Sequence, residues 1–93
     1  MDTYNGAVLC HLTGNSLSIV ADVSNYRMYH PTGSHDCSDL IPLLLSQPVP
    51  ETRLVVHTLD VNTFIIRTEP RTAFSIGNAN LLGMALVLRK KLI

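Results

Sequence analysis

The chain has 93 residues, of which 46% are hydrophobic and only 15% are charged, so we expect one small domain whose surface is poor in charge. Seven basic and seven acidic side chains balance, which excludes the strong positive field that attracts nucleic acid or acidic lipid. The longest apolar run, residues 81–88, is much shorter than the roughly 20 residues that cross a bilayer, so no membrane span is predicted.

Two strands are predicted near the amino terminus. Residues 7–12 form an apolar run, and in residues 17–23 the apolar Leu17, Ile19, Ala21 and Val23 recur at the period of a strand. Gly14-Asn15 lies between them and is typical of a tight turn. The two segments are therefore expected to form a hairpin, which residues 26–29 extend briefly.

A polar loop and a short helix are predicted to follow the hairpin. Residues 30–39 read as a loop, and a side-chain oxygen of Asp36 or Ser38 can cap a helix over residues 40–46. Pro42 is tolerated there because it falls near the first turn. The prolines that come after residue 46 prevent a longer helix.

A second group of strands is predicted in the middle of the chain. Residues 53–59 and 62–68 are rich in β-branched side chains and indicate a hairpin that turns near Asp60. Residues 69–71 form the next turn, and residues 72–76 the third strand of this meander. These three strands are expected to complete the sheet.

The last part of the chain changes in character. Residues 79–92 consist mostly of unbranched helix formers, which predicts a terminal helix. Leu81, Ala85, Leu88 and Leu92 recur there at helical spacing. The same stretch can also be interpreted as a final strand that pairs between subunits.

Together, these elements predict an α+β fold for a single domain over residues 1–93. The sheet is expected to have five mainly antiparallel strands, as a two-strand hairpin plus a three-strand meander, with a short middle helix and a C-terminal helix. The alternative is an all-β sandwich in which every segment, including the last, is a strand.

Two cysteines, Cys10 and Cys37, can form at most one disulfide. No basic start with an apolar run, as in a signal peptide, precedes the first strand-like segment. We therefore expect a reduced, cytoplasmic protein.

Residues 30–39, HPTGSHDCSD, concentrate groups that can do chemistry. His30, His35 and Cys37 offer three zinc ligands within eight residues, but their spacing is not that of a recognised zinc site. No second Cys or His pair lies at a usual distance along the sequence to complete the site. A solvated loop is the favoured interpretation, so no metal ligand is predicted. A zinc site, or an enzyme built on this loop, stays an open alternative.

The sequence offers little else for catalysis. Cys10 and His11 are neighbours on a strand, so their side chains point to opposite faces and cannot form a nucleophile and its base. The acidic residues fall mostly at turns, and residues 13–16 lack the lysine of a phosphate-binding loop. We predict a protein that is not an enzyme, with no catalytic residue and no cofactor.

The sequence resembles the Roadblock family of small α+β modules, of the dynein light chain and Ragulator type. The first hairpin of that family is similar to residues 6–12, GAVLCHL, followed by residues 14–19, GNSLSI. Its last strand and C-terminal helix are similar to residues 71–92, RTAFSIGNANLLGMALVLRKKL.

This resemblance implies a non-catalytic dimerisation or scaffold module, a homo- or heterodimer that serves as a platform for a small GTPase or a motor complex. Candidates for the pairing surface, which can equally fill the core of the monomer, are apolar residues of the terminal helix and the meander: Leu81, Leu82, Met84, Ala85, Leu88, Val55 and Ile65. The alternative function is a small all-β accessory protein, of viral type, that dimerises and binds an apolar ligand or a host partner.

Overall fold

A computed structural model of the chain describes residues 2–23, 25–41, 51–71, 74–76, 82–83, 85–87 and 89–90. Seven strands are present: β1 (Asp2–Tyr4), β2 (Ala7–Thr13), β3 (Ser16–Asp22), β4 (Gly33–Asp36), β5 (Arg53–Thr58), β6 (Thr63–Glu69) and β7 (Phe74–Ile76). Two 3-10 turns cover Tyr26–Tyr29 and Ser38–Leu40. Residues 82–83, 85–87 and 89–90 are α-helical and are called the C-terminal helical segment.

Five of the strands form one antiparallel sheet in the order β3-β2-β6-β5-β4. The central strands β2 and β6 have the most buried residues, five and four of seven, because both faces of a central strand are covered. β1 and β7 pair separately as a two-stranded antiparallel sheet.

Both predicted hairpins are confirmed. β2 and β3 are joined by a turn in which Gly14 has a φ of 60°, and β5 and β6 are joined by a turn through Asp60. The Asp60 carboxylate accepts a hydrogen bond from the Asn62 amide at 2.8 Å, which closes that turn and lowers the pKa of Asp60. The sequence therefore specifies these strands through local turn chemistry as well as through their β-branched residues.

Each face of the sheet is covered by a different short element. On the face called here the helix face, Ala85 of the C-terminal helical segment packs into a buried cluster formed by the sheet: Val8, Cys10, Leu12, Leu54, Val56, Phe64 and Ile66, together with Cys37. On the opposite, tyrosine face, Tyr26 of the first 3-10 turn packs against a smaller cluster: Ala7, Leu9, Val23 and Ile65. A fully buried Leu, Ile or Val contributes about 1.5–3 kcal/mol, so the helix face carries most of the stability.

The predicted α+β class with two helices is wrong. Strands dominate the described residues, and the only helix there beyond isolated turns is the short C-terminal helical segment. Most of the predicted helix over residues 40–46 lies outside the described residues, and Leu40 closes a 3-10 turn instead. The alternative of an all-β sandwich is wrong as well, because the last segment is helical and not a strand. The elements described against the two faces of the sheet are this helical segment and a 3-10 turn.

The predicted three-strand meander is wrong in its third strand. Strand β7, which the sequence placed beside β6, pairs with β1 instead. The position next to β5 is taken by β4, which the sequence placed in a loop. An edge strand is bonded along one side only, so β4 tolerates the glycine and polar residues that made it look like a loop.

Among the stretches of chain described above, no helix has the length and apolar character needed to cross a membrane.

Candidate functional site

The residues of strand β4 alternate between the two faces of the sheet. Ser34 lies opposite His57 on the tyrosine face, whereas His35 lies opposite Val56 on the helix face. Cys37 follows in the buried core, and His30 is exposed on a left-handed backbone with a φ of 53°. The three zinc candidates therefore do not converge, and the described residues contain no group of three or more His, Cys, Asp or Glu that can hold a metal ion.

The tyrosine face carries the densest group of polar side chains, which we call the His57 cluster: His57, Ser34, Arg67, Glu69 and Tyr26. Ser34 Oγ lies 2.7 Å from Nδ1 of His57, and Arg67 Nε donates to Nε2 of the same ring at 3.0 Å. Arg67 Nη2 also donates to Glu69 at 3.1 Å. Three strands contribute, since Ser34 is on β4, His57 on β5 and Arg67 on β6.

The hydrogen bonds of His57 fix the position of its proton. The guanidinium of Arg67 can only donate, so Nε2 of His57 must be the unprotonated nitrogen. The neutral ring then carries its proton on Nδ1 and donates it to Ser34 Oγ. A general base would have to accept a proton from the serine, so this pair has the opposite polarity from a catalytic Ser–His dyad.

The surroundings keep His57 neutral. Burial is the main cause that lowers its pKa, the positive charge of Arg67 acts in the same direction, and Glu69 opposes both. The residue is 5% exposed. A buried, neutral imidazole that is hydrogen-bonded on both nitrogens is a structural link between strands.

The ring of Tyr26 covers the imidazole of His57. Its ring stacks on the His57 imidazole with centroids 4.4 Å apart and an interplanar angle of 14°. The Arg67 guanidinium carbon lies 4.7 Å from the centre of the tyrosine ring, within the range of a cation–π contact. The 3-10 turn that carries Tyr26 has no side-chain cap hydrogen bond at its start, and the stacking on His57 holds it on the sheet.

A second group of polar side chains lies at the turn that follows β4. The Asp36 carboxylate accepts hydrogen bonds from the amide and the hydroxyl of Ser38, at 3.0 and 2.6 Å, and pairs with Arg53. The Ser38 contact, and then Arg53, lower the pKa of Asp36 to about 2. Ser38 Oγ in turn accepts a hydrogen bond from the Leu54 amide at 3.1 Å. Asp36 and Ser38 thus stabilise a turn rather than form a reactive site.

Cys10 and His11 occupy opposite faces, as the sequence predicted. Cys10 belongs to the cluster on the helix face, where burial raises the pKa of its thiol to about 12. His11 Nδ1 lies 2.9 Å from Thr63 Oγ1, its neighbour on β6. No nucleophile and base are formed by this pair.

The predicted pairing residues are divided by the fold. Ile65 and Ala85 are fully buried in the two cores of the chain itself, and Leu82 packs against the cluster on the helix face. Val55 is half-buried on β5. The other three predicted positions, Leu81, Met84 and Leu88, lie outside the described residues.

Strand β3 is an edge of the sheet that the sequence reasoning did not single out. Among the described residues, no strand pairs with its outer side. Its seven residues, SLSIVAD, contain no proline and only one charged side chain, Asp22. Edge strands can be protected from further pairing by proline, by inward charge or by a bulge, and β3 has a bulge at Val20. The lack of proline and the single charge are the signal in the sequence that could have identified this edge.

Comparisons of the chain with models of protein families, with curated proteins and with solved structures find no match. The resemblance to Roadblock modules therefore stays a prediction, and function has to be argued from the geometry.

Proposed function

We propose that the chain is a non-catalytic module that assembles with another protein chain through its open sheet edge. The observation that carries this proposal is the outer side of β3, seven residues long, with no strand against it among the described residues. Addition of a strand to such an edge is a common mode of protein recognition, because the main-chain groups supply the hydrogen bonds.

The side chains of β3 support the same proposal. Val20 is 59% exposed, and Leu17 and Ile19 are half-buried at the rim of the cluster on the helix face. An added strand would cover these apolar groups and extend the core sideways. Burial of apolar area is the main favourable contribution to most protein associations.

A catalytic role receives no comparable support from the described residues. The serine and histidine that lie close together, Ser34 and His57, are bonded with the polarity that leaves the serine unactivated. The buried thiol of Cys10 has a raised pKa, which disfavours the reactive thiolate. An electrophilic serine probe is therefore expected to leave Ser34 unlabelled.

Cys10 and Cys37 are both buried, and buried thiols suit a reducing compartment such as the cytoplasm. A platform role for a small GTPase or a motor complex rests on the Roadblock resemblance alone. The alternative of a carrier for an apolar ligand has no support from the described apolar side chains, which pack against one another on both faces.

Light scattering during size-exclusion chromatography tests the proposal directly. We expect the purified chain to elute with a mass above that of one 10.2 kDa chain, and the mass to fall on dilution. A mass of one chain up to millimolar concentration would contradict the proposal.

A further inference from the structure

The first 3-10 turn, Tyr26–Tyr29, meets the sheet through the ring of Tyr26. This ring packs on the small core of the tyrosine face and stacks on the His57 imidazole. Tyr26 is half-buried, whereas the residues after it in the turn are exposed: Arg27, Met28 and Tyr29. The backbone hydrogen bonds described for the turn stay within residues 25–30. The position of the turn therefore depends on what lies beneath the Tyr26 ring.

The hydrogen bond between Arg67 and His57 exists only while the imidazole is neutral. Arg67 Nε donates to Nε2 at 3.0 Å, and Nδ1 carries the ring proton that is donated to Ser34. A second proton on the ring can therefore bind only at Nε2. The new N–H would point at the N–H of the guanidinium, with two positive charges at hydrogen-bond distance. Protonation of His57 therefore breaks this contact.

Among the described side chains around His57, the acceptors are already engaged. Ser34 of β4 accepts the Nδ1 proton in both states of the ring. Glu69 of β6 attracts an imidazolium, but its carboxylate accepts a hydrogen bond from Arg67 Nη2 at 3.1 Å. The new N–H at Nε2 thus needs water as its acceptor.

The charges next to the Tyr26 ring are positive. The guanidinium carbons of Arg67 and Arg27 lie 4.7 and 6.0 Å from the centre of this ring. Asp36 of β4 and Arg53 of β5 lie further along the tyrosine face and pair with each other, so their charges offset. An imidazolium beneath the ring would be a third positive charge close to it.

The ring of Tyr26 stands between Nε2 and water. His57 is buried and the tyrosine ring is stacked on it, so water reaches the imidazole when Tyr26 moves away. Cation–π attraction between the imidazolium and Tyr26 opposes this movement, but it is weaker than the cost of a buried charge without a partner. Movement of Tyr26 also opens the guanidinium of Arg67 to water.

We propose that the His57 cluster is an acid-sensitive latch for the first 3-10 turn. Protonation of His57 at Nε2 separates the imidazole from Arg67, and Tyr26 then leaves the sheet together with the rest of the turn. Release uncovers the small core of the tyrosine face: Ala7, Leu9, Val23 and Ile65. The larger core on the helix face keeps the rest of the sheet folded. The latch lies away from the edge used in the proposed assembly and does not depend on it.

The direction of the switch follows from the causes that act on His57. In the closed state, burial and the charge of Arg67 lower the pKa of His57, and Glu69 raises it. Once Tyr26 and Arg67 have moved away, these causes weaken and the pKa returns towards its ordinary value of 6.5. The open state then binds the proton more tightly, so the latch is closed above pH 6.5 and opens as the pH falls below it.

Proton NMR during an acid titration tests the latch. The nuclear Overhauser effect between the rings of Tyr26 and His57, whose centroids are 4.4 Å apart, should be lost with the same midpoint as the protonation of His57. The amides of Leu12 and Cys37, each bonded to a carbonyl at 2.8 Å, should stay protected from exchange through that range. A Tyr26 ring that stays stacked on fully protonated His57 would overturn the proposal, and so would loss of protection at both amides with the same midpoint.

Variants that do not titrate at this position provide the control. His57→Phe keeps an aromatic ring beneath Tyr26, and His57→Gln keeps hydrogen-bonding groups on both sides. In these variants the ring shifts of Tyr26 should not change over the pH range in which the wild-type latch opens. The matched variant His11→Gln removes a half-buried histidine from the same face and should release Tyr26 with the wild-type midpoint. Release that depends on pH in the His57 variants, or its absence in His11→Gln, would overturn the role of His57.

Discussion

Arg67 donates from Nε to Nε2 of His57 at 3.0 Å, and this bond sets the state of the imidazole. Because the guanidinium can only donate, Nε2 of the ring is unprotonated, and the neutral ring donates its single N–H from Nδ1 to Ser34. The stacked ring of Tyr26 completes the enclosure. A pair that resembles a catalytic dyad by residue type is therefore a link between three strands and the turn that covers them.

The neutral state of His57 predicts that the protein becomes less stable in mild acid. The folded pKa of His57 is below the ordinary value of 6.5, so the unfolded chain binds more protons as the pH falls through that value. The stability that this group contributes is fully present above pH 6.5 and is lost as the pH falls towards the folded pKa. Urea unfolding followed between about pH 8 and pH 5 should show the loss.

The variant His57→Gln provides the control for this pH effect. Glutamine does not titrate, so the variant should be less stable at neutral pH but should lose less further stability between about pH 7 and pH 5. Asp36, whose pKa is lowered to about 2, acts in a separate window, because its contribution is lost only as the pH falls below about 4. An identical loss of unfolding free energy between about pH 7 and pH 5 in wild type and variant would contradict the account of His57.

Removal of the Arg67 guanidinium should affect both the stability and the titration of His57. In Arg67→Met, the buried Nε2 loses its donor, and we expect a loss of about 1–3 kcal/mol in the free energy of unfolding. The folded pKa of His57 should rise, because a nearby positive charge is removed. Proton NMR of the imidazole measures this pKa; a fall in its value would contradict the assignment. Arg67→Lys, which keeps the charge but loses Nε, should retain more of the lowered pKa.

The sequence predicted the local features of this fold better than its long-range ones. The strands around Gly14 and Asp60 follow from turn residues and β-branched runs that lie close together in the chain. The placement of β4 beside β5, and of β7 beside β1, depends on pairing between distant residues, which no local pattern encodes.

The candidate site was missed for a similar reason. Ser34, His57 and Arg67 lie on three strands, 23 residues apart for the first pair and 10 for the second, so only the register brings them together. The sequence drew attention to His35 and Cys37 in the same segment, but the alternation of β4 separates Ser34 from His35 onto opposite faces. Exclusion of a Cys10–His11 dyad succeeded because it needed only the alternation of one strand.

Two glycines with positive φ should differ in how they tolerate alanine. Gly6 has a φ of 98°, and an added Cβ would overlap the Cγ of Arg71; Gly14 has a φ of 60°, and an added Cβ there would meet no described atom within 4 Å. Gly14→Ala should therefore cost only the backbone strain, about 1–2 kcal/mol. Gly6→Ala should cost clearly more, since Arg71 must also move and give up its 2.7 Å bond to the Asn5 carbonyl. Thermal unfolding of the two variants measures the difference; equal losses would contradict the close approach at Gly6.

Both thiols should be unreactive in the folded protein. Cys10 and Cys37 are at most 1% exposed, and burial raises the pKa of Cys10 to about 12. A disulfide reagent at mildly alkaline pH should therefore modify them only as fast as the chain opens, and denaturant should release both at once. Rapid modification of either thiol without denaturant would show that the core on the helix face is not closed as described.

Hydrogen exchange at β3 tests the central claim most directly. The amides of Leu17 and Ile19 point outward in the single chain, whereas the amide of Ser18 points towards β2 and serves as an internal reference. If the chain pairs along this edge, exchange at Leu17 and Ile19 should slow as the protein concentration rises, while Ser18 stays protected throughout. Fast exchange at both positions at every concentration would contradict the claim.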